Sequence, residues 1–97
     1  MPTPVGFTRE MAFSRDEWLR ALPEAVGLHP MSVDEGMARV RIGQGNLSLR
    51  WHAAPARRIA LLALPRLMVR FEFEGLDTAA RDAFMKRFDL YMHRGGG

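Results

Sequence analysis

The stretch holding His29, Ser32, Asp34 and Glu35 sets a hydroxyl near a base and acids. A nucleophilic hydroxyl needs a base within hydrogen-bond reach and a further group that orients the base. Ser32 and His29 are three residues apart with Pro30 between them, and nothing in the pattern aims the imidazole. The stretch from Leu28 to Glu35 therefore reads as a solvated connecting loop. We expect no catalytic residues and no enzymatic activity. His29, His52 and His93 are scattered along the chain, without the short ligand spacing of a small-domain zinc site, so no metal and no cofactor are expected. Gly43 and Gly45 resemble a phosphate loop only superficially, because such a loop should open a helix whose amides face the anion. The residues after Gly45 alternate as a strand does.

The chemistry that remains is charge and exposed apolar surface. Arg39, Arg41, Arg50 and Arg70 occupy outward positions of alternating segments and form a candidate partner-binding set, either for a phosphate backbone or for an acidic protein. Glu72 and Glu74 fall on the same face, and no outward aromatic is available to stack a base. Nucleic-acid binding is thus an alternative reading. A solvated face with cross-strand Arg–Glu pairs is the plainer one. The formal net charge of +3 over 97 residues is mild. Of the 14 basic residues only Lys86 is lysine, which points to a GC-rich genome and inflates arginine without any phosphate to bind.

Composition narrows the setting. The length is that of one domain, and a hydrophobic share of 47% suits a packed core. There is no cysteine, which excludes disulfides and thiolate chemistry and fits a cytoplasm of bacterial type. No run approaches the roughly 20 apolar residues of a membrane span, and Met1 to Gly6 lacks the features of a secretory leader. No membrane partner is expected.

The elements that would position these residues are readable from periodicity. Residues 1–6 read as a loose tail, 7–94 as a single α+β domain, and 95–97 as a glycine tail in which Gly95 caps and the rest frays. Phe7 to Phe13 alternates, apart from Arg9, and reads as a strand. Ser14 and Glu17 have capping-box spacing, with Phe13 and Trp18 placed as a hydrophobic staple. The helix that follows should bury Trp18, Leu19, Leu22, Ala25 and Val26, break or kink at Pro23 and stop at Gly27.

Four further strands are expected. Met37 to Ile42 and Leu47 to His52 alternate on either side of a turn at Gly43–Asn46. Ala53 to Arg58 reads as a loop. Ile59 to Leu64 is apolar on both faces and is read as a strand, although such a short run also suits a helix. Leu67 to Glu74 alternates most cleanly, with Leu67, Val69, Phe71 and Phe73 inward. A closing helix starts at Asp77 or Thr78 and carries Ala80, Phe84, Met85, Phe88, Tyr91 and Met92 on one face, with Asp82–Lys86 and Asp89–His93 spaced as pairs.

The order β-α-β-β-β-β-α predicts a two-layer α+β sandwich: an antiparallel sheet of four to five strands with both helices on one face. In outline this resembles half of a TATA-binding-protein saddle or a reduced helix-grip domain, a likeness of topology that implies no function. If Ile59 to Leu64 is a strand, then Ala60, Leu62 and Leu64 lie on the uncovered face and mark a self-association site. A small binding or assembly module that forms a homodimer through its sheet is therefore the leading expectation. The alternatives are binding of nucleic acid or an acidic partner through the arginines, and carriage of a small apolar ligand in a cleft between the sheet and the last helix.

Overall fold

The computed structural model describes residues 2–95. Its elements are β1 (Gly6–Met11), α1 (Arg15–Val26), β2 (Met31–Asp34), β3 (Met37–Ile42), β4 (Gly45–Ile59), β5 (Leu62–Glu74) and α2 (Thr78–Gly95). The five strands form one antiparallel sheet in the order β1-β5-β4-β3-β2. This is a meander from β2 to β5, closed on its far side by the first strand. The α+β class, the element order and the five-strand sheet are as the periodicity implies.

Both helices lie on the same face because the inward side chains of the sheet are the only large apolar set available to them. Trp51 on β4 meets Trp18 on α1 edge-on, with ring centroids 5.6 Å apart. Phe71 on β5 meets Phe88 on α2 at 5.5 Å, and Phe73 meets Phe84 at 6.1 Å. Trp18 also meets Phe88 at 6.1 Å, which joins the two helices over the sheet. Ala38, Val40, Ile42, Leu47, Leu49, Leu67 and Val69 complete the buried inner face.

The helix ends follow their local chemistry. The Ser14 hydroxyl accepts the amide of Glu17, and the Glu17 carboxylate accepts the amide of Ser14 in return. Asp77 accepts the amide of Ala80 at 2.9 Å and opens α2 in the same manner. Pro23 neither breaks nor splits α1. It is exposed in the last turn, where Leu22, Ala25 and Val26 are buried around it and hold the helix. Gly27, with φ of 73°, ends the helix, and Arg87 of α2 donates to the carbonyl of Glu24 there.

Further expectations need correction. Leu28 to Glu35 is not wholly a loop, since Met31–Asp34 is an edge strand paired with β3 through a turn at Glu35–Gly36. Ala53 to Arg58 is not a loop, because β4 runs on to Ile59. Ile59 to Leu64 is not a strand of its own. Ile59 ends β4, Ala60 and Leu61 make a two-residue turn, and Leu62 begins β5, with Ile59 opposite Leu62. The expected strand is folded in half, so the total of five is reached with a different membership.

The segment before β1 is also tied down rather than loose. The amide of Thr3 donates to Asp82 of α2 at 2.7 Å, its carbonyl accepts from Arg81, and the carbonyl of Val5 accepts from Phe73. Asp82 therefore serves the N-terminal segment. At the other end, Gly95 is still helical, and Gly96 and Gly97, expected to fray, lie outside the described residues.

Two predictions follow from these contacts. The hydrogen bond from Thr3 holds the Asp82 carboxyl below the ordinary aspartate range. A lowered folded-state value means the tether is fully present above the ordinary value of about 3.9 and is lost as pH falls through the lower folded value. The Thr3 amide proton shift should titrate with a midpoint under about 3.9, and Asp82→Asn should abolish that titration. A midpoint at or above the ordinary value contradicts the tether.

Gly45 starts β4 so close to the end of β5 that an added Cβ would lie 2.4 Å from the Glu74 carbonyl oxygen. Gly45→Ala should lower the unfolding free energy by about 1–3 kcal/mol in urea titration. An unchanged midpoint would show that the two strands can separate there.

Candidate interaction surface

The candidate partner-binding and self-association residues lie on two surfaces: an arm formed by β4 and β5, and the sheet face opposite the helices. The arm exists because these two strands outrun everything else. β4 has 15 residues and β5 has 13, whereas the other strands have four to six. At about 3.3 Å per residue, a strand of that length spans nearly 50 Å, comparable with the 47 Å long dimension of the whole Cα trace. β3 accompanies β4 only as far as Arg50, and β1 accompanies β5 only back to Leu67. Beyond Trp51 and Leu67 the buried core has ended, and the rest is a two-stranded ribbon.

A bulge marks the base of that ribbon. Ala54 pairs with Arg66 and Arg57 pairs with Leu64, so Pro55 and Ala56 stand against Pro65 alone. Neither proline can donate to the ladder, which is why the register breaks there. Arg66 fixes the base from outside: its guanidinium bonds Glu10 of β1, with Nε at 2.6 Å, and reaches the Pro55 carbonyl at 3.2 Å. The extra residue reverses the alternation of β4. Arg57 and Ile59 therefore share a side with Leu62 and Leu64, and strand alternation makes this side continuous with the uncovered face of the sheet. Ile59, Leu61, Leu62 and Leu64 are 53%, 102%, 64% and 40% exposed.

The expected self-association residues thus occupy two kinds of position. Leu62 and Leu64 line one side of the arm. Ala60 sits in the turn, where its φ of 55° is the only positive value at a non-glycine residue among those described.

On the uncovered face the register sets out the charges in rows. Arg41 on β3, Asn46 on β4 and Glu74 on β5 form one row. Arg39, Ser48 and Glu72 form the next, and Met37, Arg50 and Arg70 the third. The four candidate arginines do share this face, but they are not alike. Arg70 is paired with Glu72 at 3.4 Å and with the Thr8 hydroxyl. Arg41 bends to the Gly43 carbonyl at 3.0 Å. Arg39 and Arg50 make no ion pair among the described residues, and Arg50 lies directly across from Arg70.

The remaining candidates are dispersed. His29 is beside Phe84 at 5.7 Å, His52 is on the uncovered face opposite Met68, and His93 is near the end of α2. Ser32 lies on β2 opposite Arg39, with Asp34 at the end of the same edge strand, His29 before it and Glu35 in the turn after it. Between α2 and the sheet the space is filled by Phe71, Phe73, Phe84 and Phe88. An open groove of about 540 Å³ lies instead at the end of that layer, lined by Met11, Phe13 and Met92.

Arg9, which interrupts the alternation of β1, points to the helix side at this groove. There it pairs with Asp89 and lies over Phe7 and Phe71 at 5.5 and 5.7 Å. This cross-element pair, rather than an i,i+4 pair with His93, is the contact of Asp89. A lone charged residue in an otherwise alternating strand was the signal for it.

The chain matches no family model, no curated protein and no solved structure. Among the described residues no helix is long and apolar enough to cross a membrane.

The turn offers a direct check that the arm exists in solution. An L-residue with positive φ is disfavoured by about 1–2 kcal/mol, a strain that glycine relieves. Ala60→Gly should slow amide exchange within Arg57–Leu64 several-fold while leaving global stability unchanged. Faster exchange throughout the segment would mean that the turn is formed differently.

Proposed function

We propose that this chain is a non-enzymatic assembly module that forms a homodimer through the uncovered side of its sheet, with the β4–β5 arm as the main contact. The observation that carries this reading is the arm's exposed apolar set, Ile59, Leu61, Leu62 and Leu64. A two-stranded ribbon with no layer behind it is marginal in water, and a cluster of exposed leucines on such a ribbon suits a surface meant to be covered.

The mode of covering follows from the backbone. Pro55 and Pro65 interrupt both free edges of the ribbon, and Arg57, Arg58 and Arg66 flank them. Prolines and charges on an edge disfavour addition of another strand, so the arm docks with its side chains. Scaled to their exposure, the four apolar residues offer about 4–8 kcal/mol per arm on burial. Association costs about 4–15 kcal/mol. A symmetric pair brings two arms to one contact and doubles the gain without requiring a second kind of surface.

The arginines do not by themselves favour nucleic acid, since Glu72 and Glu74 stand in their rows.

Size-exclusion chromatography with light scattering at tens of micromolar should give a dimer, and native mass spectrometry should give twice the chain mass without a bound metabolite. Leu62→Glu should shift the protein to monomer with helix content and melting temperature retained, because Leu62 is not part of the core. A wild-type monomer at that concentration overturns the reading. An unfolded Leu62→Glu variant would place Leu62 inside the folded unit and overturn the arm as its basis.

A further inference from the structure

The homodimer reading leaves open how two copies face each other, and the charges on the uncovered face choose among the possibilities. Two rows of the sheet carry the same pattern. Arg39, Ser48 and Glu72 follow one another across β3, β4 and β5, and so do Arg41, Asn46 and Glu74. Each row is positive on β3, neutral and short on β4, and negative on β5. Adjacent strands are about 4.8 Å apart, so the backbone of each arginine stands about 10 Å from that of the glutamate of its own row, and the two are not in ion-pair contact among the described residues. Neither Arg39 nor Arg41 pairs with an acid among the described residues.

We propose that a second copy of this chain covers the uncovered face, related by a two-fold axis running along β4. Arg39 and Arg41 of each copy then meet Glu72 and Glu74 of the other. This rests on the homodimer reading above and deepens it.

The direction of the axis follows from geometry. Rotation about an axis parallel to the strands keeps each row at its own height and reverses the order of strands across it. β3 of one copy then lies over β5 of its partner, and the positive end of each row meets the negative end of the same row. A two-fold axis in the interface but perpendicular to the strands would lay β3 over β3 and set arginine against arginine. The parallel axis also brings both arms to the same end, with the sides carrying Ile59, Leu62 and Leu64 turned towards each other. Charge and apolar surface are thus satisfied by one operation. Ser48 and Asn46 lie beneath the axis, and their short side chains let the two sheets approach.

Two features oppose the arrangement: Glu72 already pairs with Arg70 of its own strand at 3.4 Å, and Arg50 sets like charges together. Arg50 is on β4 in the next row, so it faces the Arg50 of its partner while already standing across from Arg70. The candidate arginines therefore divide by effect: Arg39 and Arg41 hold the dimer, and Arg50 works against it.

A charge-exchange experiment on the full chain tests this. Arg39→Glu with Arg41→Glu, and separately Glu72→Lys with Glu74→Lys, should each weaken self-association by tenfold or more, since like charges then meet. An equimolar mixture of the two should form a heterodimer of about wild-type affinity, because two of the four pairs then form with their signs exchanged and the other two are those of the wild type. Arg50→Ser should tighten the wild-type dimer.

Far-UV circular dichroism reports whether the variants fold. If either double variant does not, Gln replacements at the same positions should still weaken the dimer, and raising salt should weaken the wild type. A wild-type dimer that needs Leu62 but shows no preference for the mixed pair, or that loosens with Arg50→Ser, overturns this axis and leaves the homodimer reading standing. A wild-type monomer removes both. Salt-sensitive oligonucleotide binding lost equally on replacing Arg39, Arg41 or Arg50 would assign the face to nucleic acid and overturn the proposal.

Discussion

The architecture depends on one aromatic knot. Phe88 of α2 stands edge-on to Phe71 of β5 and to Trp18 of α1, and Trp18 stands edge-on to Trp51 of the central strand β4. Four rings thus join both helices to the two longest strands, and Trp18, Phe71 and Phe88 are completely buried. The knot is held by apolar contact and ring geometry rather than by polar bonds, since the indole N–H groups of Trp18 and Trp51 are buried without a protein acceptor. An unpaired buried donor costs about 1–3 kcal/mol. Burial of such large side chains, with edge-to-face pairs adding about 0.5–1.5 kcal/mol each, offsets that cost.

The position of the knot determines where the globule ends. Trp51 and Leu67 are the last inward residues with helix above them, and only 12 residues of α1 and 18 of α2 are available to cover the sheet. The sheet residues that follow cannot be buried by their own chain. The sequence answers with a pair of prolines, three arginines and a cluster of leucines, a composition suited neither to a core strand nor to an ordinary surface hairpin. Prolines stop the ribbon from recruiting further strands, and the bulge they force turns Ile59 to the same side as Leu62 and Leu64. The arm is thus a consequence of strand length exceeding helix cover.

The same features explain which parts of the fold were legible in the sequence. Strands whose two faces differ, Met37–Ile42, Leu47–His52 and Leu67–Glu74, announce themselves by alternation because one face meets the knot. The capping box at Ser14 and the 3.6-residue spacing of Phe84, Phe88 and Met92 do so equally. Alternation loses its meaning once neither face is buried, and there the reading failed. Pro55 and Pro65 look like strand breakers, yet both lie in strands, at a bulge. Ala60–Leu61 carries no turn residue, so its positive φ has no signal in residue type. What did signal the hairpin was symmetry: prolines on either side of Arg57-Arg58-Ile59 and Leu62-Ala63-Leu64, two short segments of matching length. β2 was missed for the same reason, being an edge strand with Ser32, Val33 and Asp34 all exposed. At the site, the side shared by Leu62 and Leu64 was legible and the place of Ala60 was not.

The four arginines show why residue type at outward positions was too coarse a signal. From sequence they are equivalent, and together they suggest a basic platform. Register separates them, because cross-strand position decides what each one sees. Arg70 has Glu72 and Thr8, Arg41 has a backbone carbonyl, Arg39 has a serine beside it, and Arg50 faces another arginine. A surface built to track a phosphate backbone gains from every positive charge and from the absence of negative ones. Two rows of this face instead repeat one sequence of charges, positive on β3 and negative on β5 with short neutral side chains between, while the next carries Arg50 and Arg70. Such a pattern has little use towards a uniform polyanion. In those two rows each positive position has a negative counterpart at the same height along the strands, which is what the proposed pairing of two copies requires.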